Sequence, residues 1–513
     1  MEGLPRINGV LQILIDSGVE HNEDALFFAY MTGLSDEASL RLIREVGVTG
    51  IKDQIRKFMD ESVTPFSKFQ EDARFVPKLL ADHLMKYWKF KTTRDNETMF
   101  VYDSSHYRPI GEVMVKEQVE RILEKEAKRN RVNEVIGHVQ RSSYMERDEF
   151  NKDINLVNIE NGIYNLENKV LEQHDANKLF TFQLPVNYEP DAKCPIFLKF
   201  LNEILYPEDI PFIQEFLGFS LYRSYFLRKV MVMYGSGANG KTTLILIIEK
   251  VFGKDNISGV SLQLLGVNRF ATSDMFGKHL NIADDLPRKP LSDSGEFKKT
   301  TGGSRIRAER KGKDAFDFIP FAKQIYACNQ LPQVDDQTDA YFDRMGIITF
   351  PYKFVSKPNP NNENERQAKD RDKIVDECTS PKELSGIFNW ALEGLIRLRE
   401  QGYFSNTKST EEVRRDYNLK ADPVAAFTVE CIEQDWEYEM NKKDVYARYI
   451  TFCRNKLSPP LTYDSFCKRF LQVMGEKVRE KHAASGDKRI RVWVGIKLVD
   501  FELEVKEQSS LSE

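Results

Sequence analysis

Eight residues, Gly235-Ser236-Gly237-Ala238-Asn239-Gly240-Lys241-Thr242, constrain this chain more than any other feature. They fit G-x-x-x-x-G-K-[ST], follow the apolar run Val230 to Tyr234, and precede Thr243 to Val251, whose apolar residues recur at helical spacing. A strand entering a glycine turn that opens a helix gathers backbone N–H groups at the helix N-terminus, where phosphate is favoured. Lys241 then supplies a cation for β and γ phosphates, and the Thr242 hydroxyl can hold Mg²⁺. The expected ATP-binding set is therefore Gly235, Ser236, Gly237, Ala238, Asn239, Gly240, Lys241, Thr242 and Thr243. A glycine turn with a chance lysine would lack the strand and helix on either side.

The surroundings supply the sheet such a loop needs. Short apolar runs at Val230–Tyr234, Leu280–Ala283, Gln324–Cys328 and Ile347–Phe350 alternate with helical or loop segments, which predicts an α/β domain with a parallel sheet. Leu280–Ala283 ends in Asp284 and Asp285, so a buried strand delivers two carboxylates at the end where such sheets bind ligands. One, assigned to Asp284, can orient Mg²⁺ together with Thr242; the other, Asp285, can polarise an attacking water. Asn329 closes the next strand, where it serves as a turn residue or as a sensor of the γ-phosphate. Arg344 stands fifteen residues later, where it serves as an Asp-paired surface residue or as a finger into a neighbouring subunit's nucleotide.

The chain holds 74 Lys and Arg against 79 Asp and Glu, a net charge of -5, so any nucleic-acid surface has to be local. Lys298 to Lys313 is such a place, with seven cations and one acid, Glu309. Its pattern predicts a β-hairpin, Arg305–Arg310 and Ala315–Ile319, with Arg307, Arg310, Lys311 and Lys313 as DNA contacts. A second basic stretch, Thr462 to Lys497, carries nine Lys and Arg against four acids. Two helix patterns followed by a hairpin give that segment a winged-helix-like outline, suited to DNA or to protein contact. Six scattered cysteines form no CxxC, which fits a reducing, cytoplasmic setting. No apolar run reaches membrane-spanning length and the N-terminus lacks the pattern of a signal peptide.

The order of these motifs resembles the superfamily 3 helicases, specifically the primase-helicase C-terminal family of poxviruses, phages and plasmids. Asn161-Gly162-Ile163-Tyr164-Asn165-Leu166, Pro185-Val186-Asn187-Tyr188 and Phe216-Leu217-Gly218-Phe219 are similar to the family's region ahead of the motor, and Asn389 to Gly394 to its helical closing segment. Two departures stand out: Asp285 where the family commonly has Glu, and a single Arg at 344 where relatives often have two.

The resemblance, which runs from about residue 150 to 400, implies an AAA-like P-loop ATPase core at 196–410 preceded by a mixed α/β domain at 76–195. Amphipathic patterns at Ala38–Val46 and Gly50–Met59 predict a small helical domain at 1–75, and the winged-helix-like outline belongs to 411–513. The resemblance further implies an ATP- and Mg²⁺-dependent replicative helicase acting on single-stranded and forked DNA as a homo-hexameric ring, with a primase or polymerase partner. Residues 1–150 carry no cluster of carboxylates suited to a two-metal polymerase site. The competing reading is a non-translocating ATP-dependent DNA-binding switch or loading factor.

Overall fold

The computed structural model describes residues 66–499 except 72–73, 288, 292, 313, 407, 457, 459 and 486–487. The helical domain expected at 1–75 lies almost wholly outside the described residues, as does Lys313. The described chain forms two compact units, residues up to 153 with 172–183, and residues 154–171 with 184–499.

In the first unit α1 (Pro77–Tyr87), β1 (Phe90–Thr93), β2 (Met99–Asp103), β3 (His106–Arg108), α2 (Gly111–Leu123), α3 (Arg129–Ser142) and β4 (Tyr144–Met145) follow in order. The sheet order is β3-β2-β1-β4, antiparallel except where β4 joins β1 in parallel. Leu80 and Leu84 of α1, Val115 and Val119 of α2, and Val135 and Val139 of α3 meet in its core, each pair set four residues apart on one helical face.

The second unit opens with the hairpin β5 (Leu156–Ile159) and β6 (Gly162–Asn165) and two apolar helices, α4 (Pro195–Ile204) and α5 (Ile210–Leu221). Its centre is a five-stranded, wholly parallel sheet. In chain order come β7 (Val230–Tyr234), α6 (Lys241–Phe252), β8 (Ile257–Ser258), β9 (Leu280–Ala283), α7 (Gly295–Thr300), the hairpin β10 (Ile306–Ala308) and β11 (Phe316–Phe318), β12 (Lys323–Cys328) and β13 (Met345–Thr349). The sheet order is β8-β9-β12-β7-β13. All five residues of β7 and all six of β12 are buried, as central parallel strands covered on both faces must be. The four apolar runs expected to be strands therefore all lie in this one sheet.

A strap follows, with β14 (Lys353–Val355) and β15 (Glu365–Gln367) paired in parallel, then α8 (Arg371–Cys378), α9 (Pro381–Gln401) and α10 (Thr410–Ala421). Helix α9 packs closely on α5, at glycines: a Cβ on Gly218 would lie 2.2 Å from the Ala391 carbonyl, and one on Gly394 2.4 Å from that of Gln214. Val413, Tyr417 and Ala421 of α10 complete the core of the parallel sheet, while Leu419 turns into the next one. That last core gathers β16 (Ile432–Asn441), α11 (Lys442–Asn455), α12 (Tyr463–Met474), β17 (Arg479–Ser485) and β18 (Lys488–Leu498). The strands form an antiparallel sheet in the order β16-β18-β17, with Trp493 stacked on Phe470 at 4.3 Å.

Candidate functional site

The ends of β7, β9 and β12 converge at one side of the parallel sheet. After Tyr234 the chain turns sharply: Gly235 N–H donates to the Cys328 carbonyl at 3.2 Å, and Gly237, Ala238 and Gly240 all adopt left-handed backbone, with φ of 97°, 51° and 90°. Gly240 has a second reason to lack a side chain, since a Cβ there would fall 2.6 Å from Ile204 of α4. Ala238 pays strain for its φ and is held by a neighbour, as Phe354 N–H donates to its carbonyl at 2.7 Å. Helix α6 starts immediately after Gly240, so its first N–H groups point back over the loop.

Lys241 is 7% exposed. Its ammonium donates to the Gly235 carbonyl at 2.8 Å, to Asn239 Oδ1 at 3.0 Å and to Asn329 Oδ1 at 3.2 Å. Burial lowers its pKa to about 8, against the opposing pull of Cys328 and Asp285. A cavity of about 480 Å³ opens here, lined by Gly237 through Thr243 on one side and by Asp284, Asp285 and Asn329 on the other. Both aspartates are exposed to it at the end of β9. Gly235 and Ser236 shape the turn without lining the cavity. Thus seven loop residues, both carboxylates and the amide, separated by up to 92 positions in sequence, face one space. A hydroxyl, two carboxylates and an ammonium around one cavity are groups able to hold a divalent cation beside an anion. Among the described residues no three His, Cys, Asp or Glu side chains form a ready-made metal cage.

Arg344 is elsewhere, just before β13 and so at the opposite end of the parallel strands. It is 6% exposed; Nε donates to Thr301 Oγ1 at 2.9 Å, and a second guanidinium nitrogen donates to the Ala340 carbonyl. This places the arginine in the interior, bonded to residues of its own chain. Its donors are satisfied inside its own subunit, where they hold the end of α7.

The basic hairpin forms as expected, with Arg307 exposed across from Asp317. Lys311 and Gly312 make the exposed tip. Arg310 lies on aromatic rings, 5.0 Å from the centre of Phe316 and 5.9 Å from that of Phe276, so part of its charge is used to brace the hairpin.

Several cavity residues carry no motif: Phe200, Glu203 and Ile204 from α4, and Phe354, Lys369 and Arg371 from the strap and the start of α8. The strap reads as a Pro- and Asn-rich break, and only its return of cations after a polar run hints at a part in the site. The far side of the loop is tied to the C-terminal core. Tyr234 Oη lies 3.3 Å from Ser458 Oγ, Lys420 Nζ sits 5.2 Å from the Tyr234 ring centre, and Gln330, next to Asn329, donates to the Ala421 carbonyl at 3.0 Å.

Three family models match the chain in separate stretches. D5 N terminal like covers 56–206, a family of unknown function (DUF5906) covers 233–344, and Poxvirus D5 protein-like covers 419–500. Residues of this chain are 23% identical over 333 positions to the protein named "Putative helicase 121R" of Invertebrate iridescent virus 3, covering 59% of this chain and 35% of that one. They are 24% identical over 358 positions to "Putative helicase V13" of Sputnik virophage, covering 66% of this chain and 44% of that one. The chain thus spans less than half the length of these relatives. The solved apo structure of the NrS-1 C terminal region (305-718) aligns with a TM-score of 0.45 at 12% identity, over 83% of this chain and 100% of that one. D5-type models thus match two stretches of this chain, one toward each end, and the viral relatives it resembles are named putative helicases.

Proposed function

We propose that the chain is the motor part of a viral or phage replicative DNA helicase: a superfamily 3, P-loop ATPase that hydrolyses ATP with Mg²⁺ and moves single-stranded DNA. The observation that carries this reading is the shared cavity of Lys241, Thr242, Asp284, Asp285 and Asn329. Lys241 neutralises the phosphates that leave and remain, Thr242 and Asp284 hold the metal, and Asp285 takes the proton of the attacking water while Asn329 positions that water. When bound, Mg²⁺ withdraws charge from the phosphate oxygens. The core gathered by β16–β18 with α11 and α12 is read as a winged-helix-like module, and Lys311 with Arg307 as the DNA grip of the hairpin.

The oligomer proposed is a homo-hexameric ring, with a primase or polymerase as partner. The internal bonds of Arg344 favour the second reading, a non-translocating ATP-dependent switch, because a motor of this design needs an arginine free to cross an interface. One pair of assays separates them. Hydrolysis stimulated by single-stranded DNA, together with opening of forked DNA, both lost in Lys241→Ala, supports the motor. Stimulated hydrolysis without fork opening, on assembled protein, supports the switch.

A further inference from the structure

Glu203 is an unexpected neighbour for a polyanion. The cavity already presents Asp284 and Asp285, and a third carboxylate at its mouth adds repulsion unless it is neutralised. Lys369 neutralises it: Nζ stands 2.6 Å from Glu203 Oε2, and both side chains line the cavity. The strap that carries Lys369 is firmly placed. β14 pairs with β15, Phe354 N–H is bonded to Ala238 of the loop, and Arg366 lies 3.3 Å from the Tyr352 ring centre while donating to the Glu203 carbonyl at 2.5 Å.

The ion pair itself is loose. The lysine side chain is 51% exposed and the glutamate 27%, and a pair this open to water gains little from its own attraction. A charge-assisted hydrogen bond to a phosphate in the half-closed cavity is the stronger contact. We infer that Lys369 is a second phosphate-binding cation of this site, held on Glu203 while the cavity is empty and handed to the phosphates of an incoming nucleoside triphosphate. This rests on the nucleotide reading above. Nothing in the glycine-loop motif marks Lys369, which lies 128 positions beyond Lys241.

The hand-over makes its two partners act in opposite directions, whereas a structural brace would make them act alike. Equilibrium binding of ATP and of inorganic tripolyphosphate is measured on the full chain for the wild type, Lys369→Met, Lys369→Arg, Glu203→Gln and the Lys369→Met/Glu203→Gln pair. Lys369→Met weakens both ligands about tenfold, the size of one charge-assisted hydrogen bond, and Lys369→Arg, which keeps the charge, recovers most of it. Glu203→Gln tightens both roughly threefold, the scale of an exposed pair, and the double variant loses that gain. Weakening by both single variants means a brace and overturns the proposal, as does unchanged binding in Lys369→Met. Tightening that survives in the double variant assigns the effect to the Glu203 charge alone and also overturns it. Should Lys241→Ala leave both ligands bound as in the wild type, the nucleotide reading fails and the hand-over with it.

Discussion

Lys241 shows how one buried residue sets opposite pH trends for stability and for binding. With its folded pKa near 8 and its ordinary value at 10.5, the unfolded chain holds a proton between those limits that the folded chain has released. Unfolding therefore takes up a proton there, and the nucleotide-free protein gains stability as pH rises from about 8 to 10.5. Thermal unfolding at pH 7.5 and 9.5 should show that gain in the wild type and not in Lys241→Met. ATP affinity should run the other way, falling above pH 8 as the ammonium that meets the phosphates is lost. Arg344 makes a second test at this scale. As an internal clamp, its replacement by Ala leaves Thr301 and the Ala340 carbonyl without their donor and costs about 1–3 kcal/mol in denaturant unfolding. As a finger, it would instead lose about 10³ in hydrolysis at nearly unchanged stability. That the loop, the acidic pair and the amide meet at one cavity was legible in sequence, because each follows an apolar run that becomes a strand of the same parallel sheet. The setting of Arg344 was not, because burial depends on Thr301 and Ala340, which reach it only through the fold.

At the scale of elements, the family-like motifs outside the loop turn out to be contacts between segments. Asn161 and Tyr188 exchange two hydrogen bonds of 3.0 Å, side-chain amide to backbone, which fixes the β5–β6 hairpin against the Pro185–Tyr188 segment. Gly218 and Gly394 meet the opposite helix backbone, and Gln214 Nε2 donates to the Trp390 carbonyl at 2.9 Å. Gly394→Ala should therefore push α9 off α5 and lower stability by about 1–3 kcal/mol, read as a shifted urea midpoint with an unchanged slope. An unchanged midpoint would mean the helices have room that the 2.4 Å approach denies. Helices with a clear apolar period were legible in sequence: apolar residues recur at helical spacing along α5 from Ile210 and along α12 over Tyr463–Met474. The strap was not, since β14 and β15 are three residues each, carry Lys353, Glu365, Arg366 and Gln367, and are held by backbone pairing that leaves no hydrophobic period. Strand β16 was hidden likewise, being a largely exposed edge with four acids.

At the scale of the whole molecule, subunit mixing tests the proposed ring. If Arg344 leaves its internal partners to serve a neighbour, combining Lys241→Ala with Arg344→Ala chains creates some interfaces with both residues intact, and hydrolysis partly returns. Mixed assemblies with no recovery place Arg344 within its own subunit. Helix α10 sets a second limit at this scale. Because Val413, Tyr417 and Ala421 close the core of the parallel sheet, a chain ending at 410 exposes that core and should aggregate, whereas one ending at 422 keeps it covered. The same helix joins the loop to the C-terminal core through Gln330 and the Ala421 carbonyl, with Tyr234 and Ser458 alongside. Linkage makes this joint symmetrical. If filling the cavity shifts Asn329 and so moves Ala421, anything that seats on the C-terminal core must change nucleotide affinity by the same factor that nucleotide changes its own, and the joint can be read from either end.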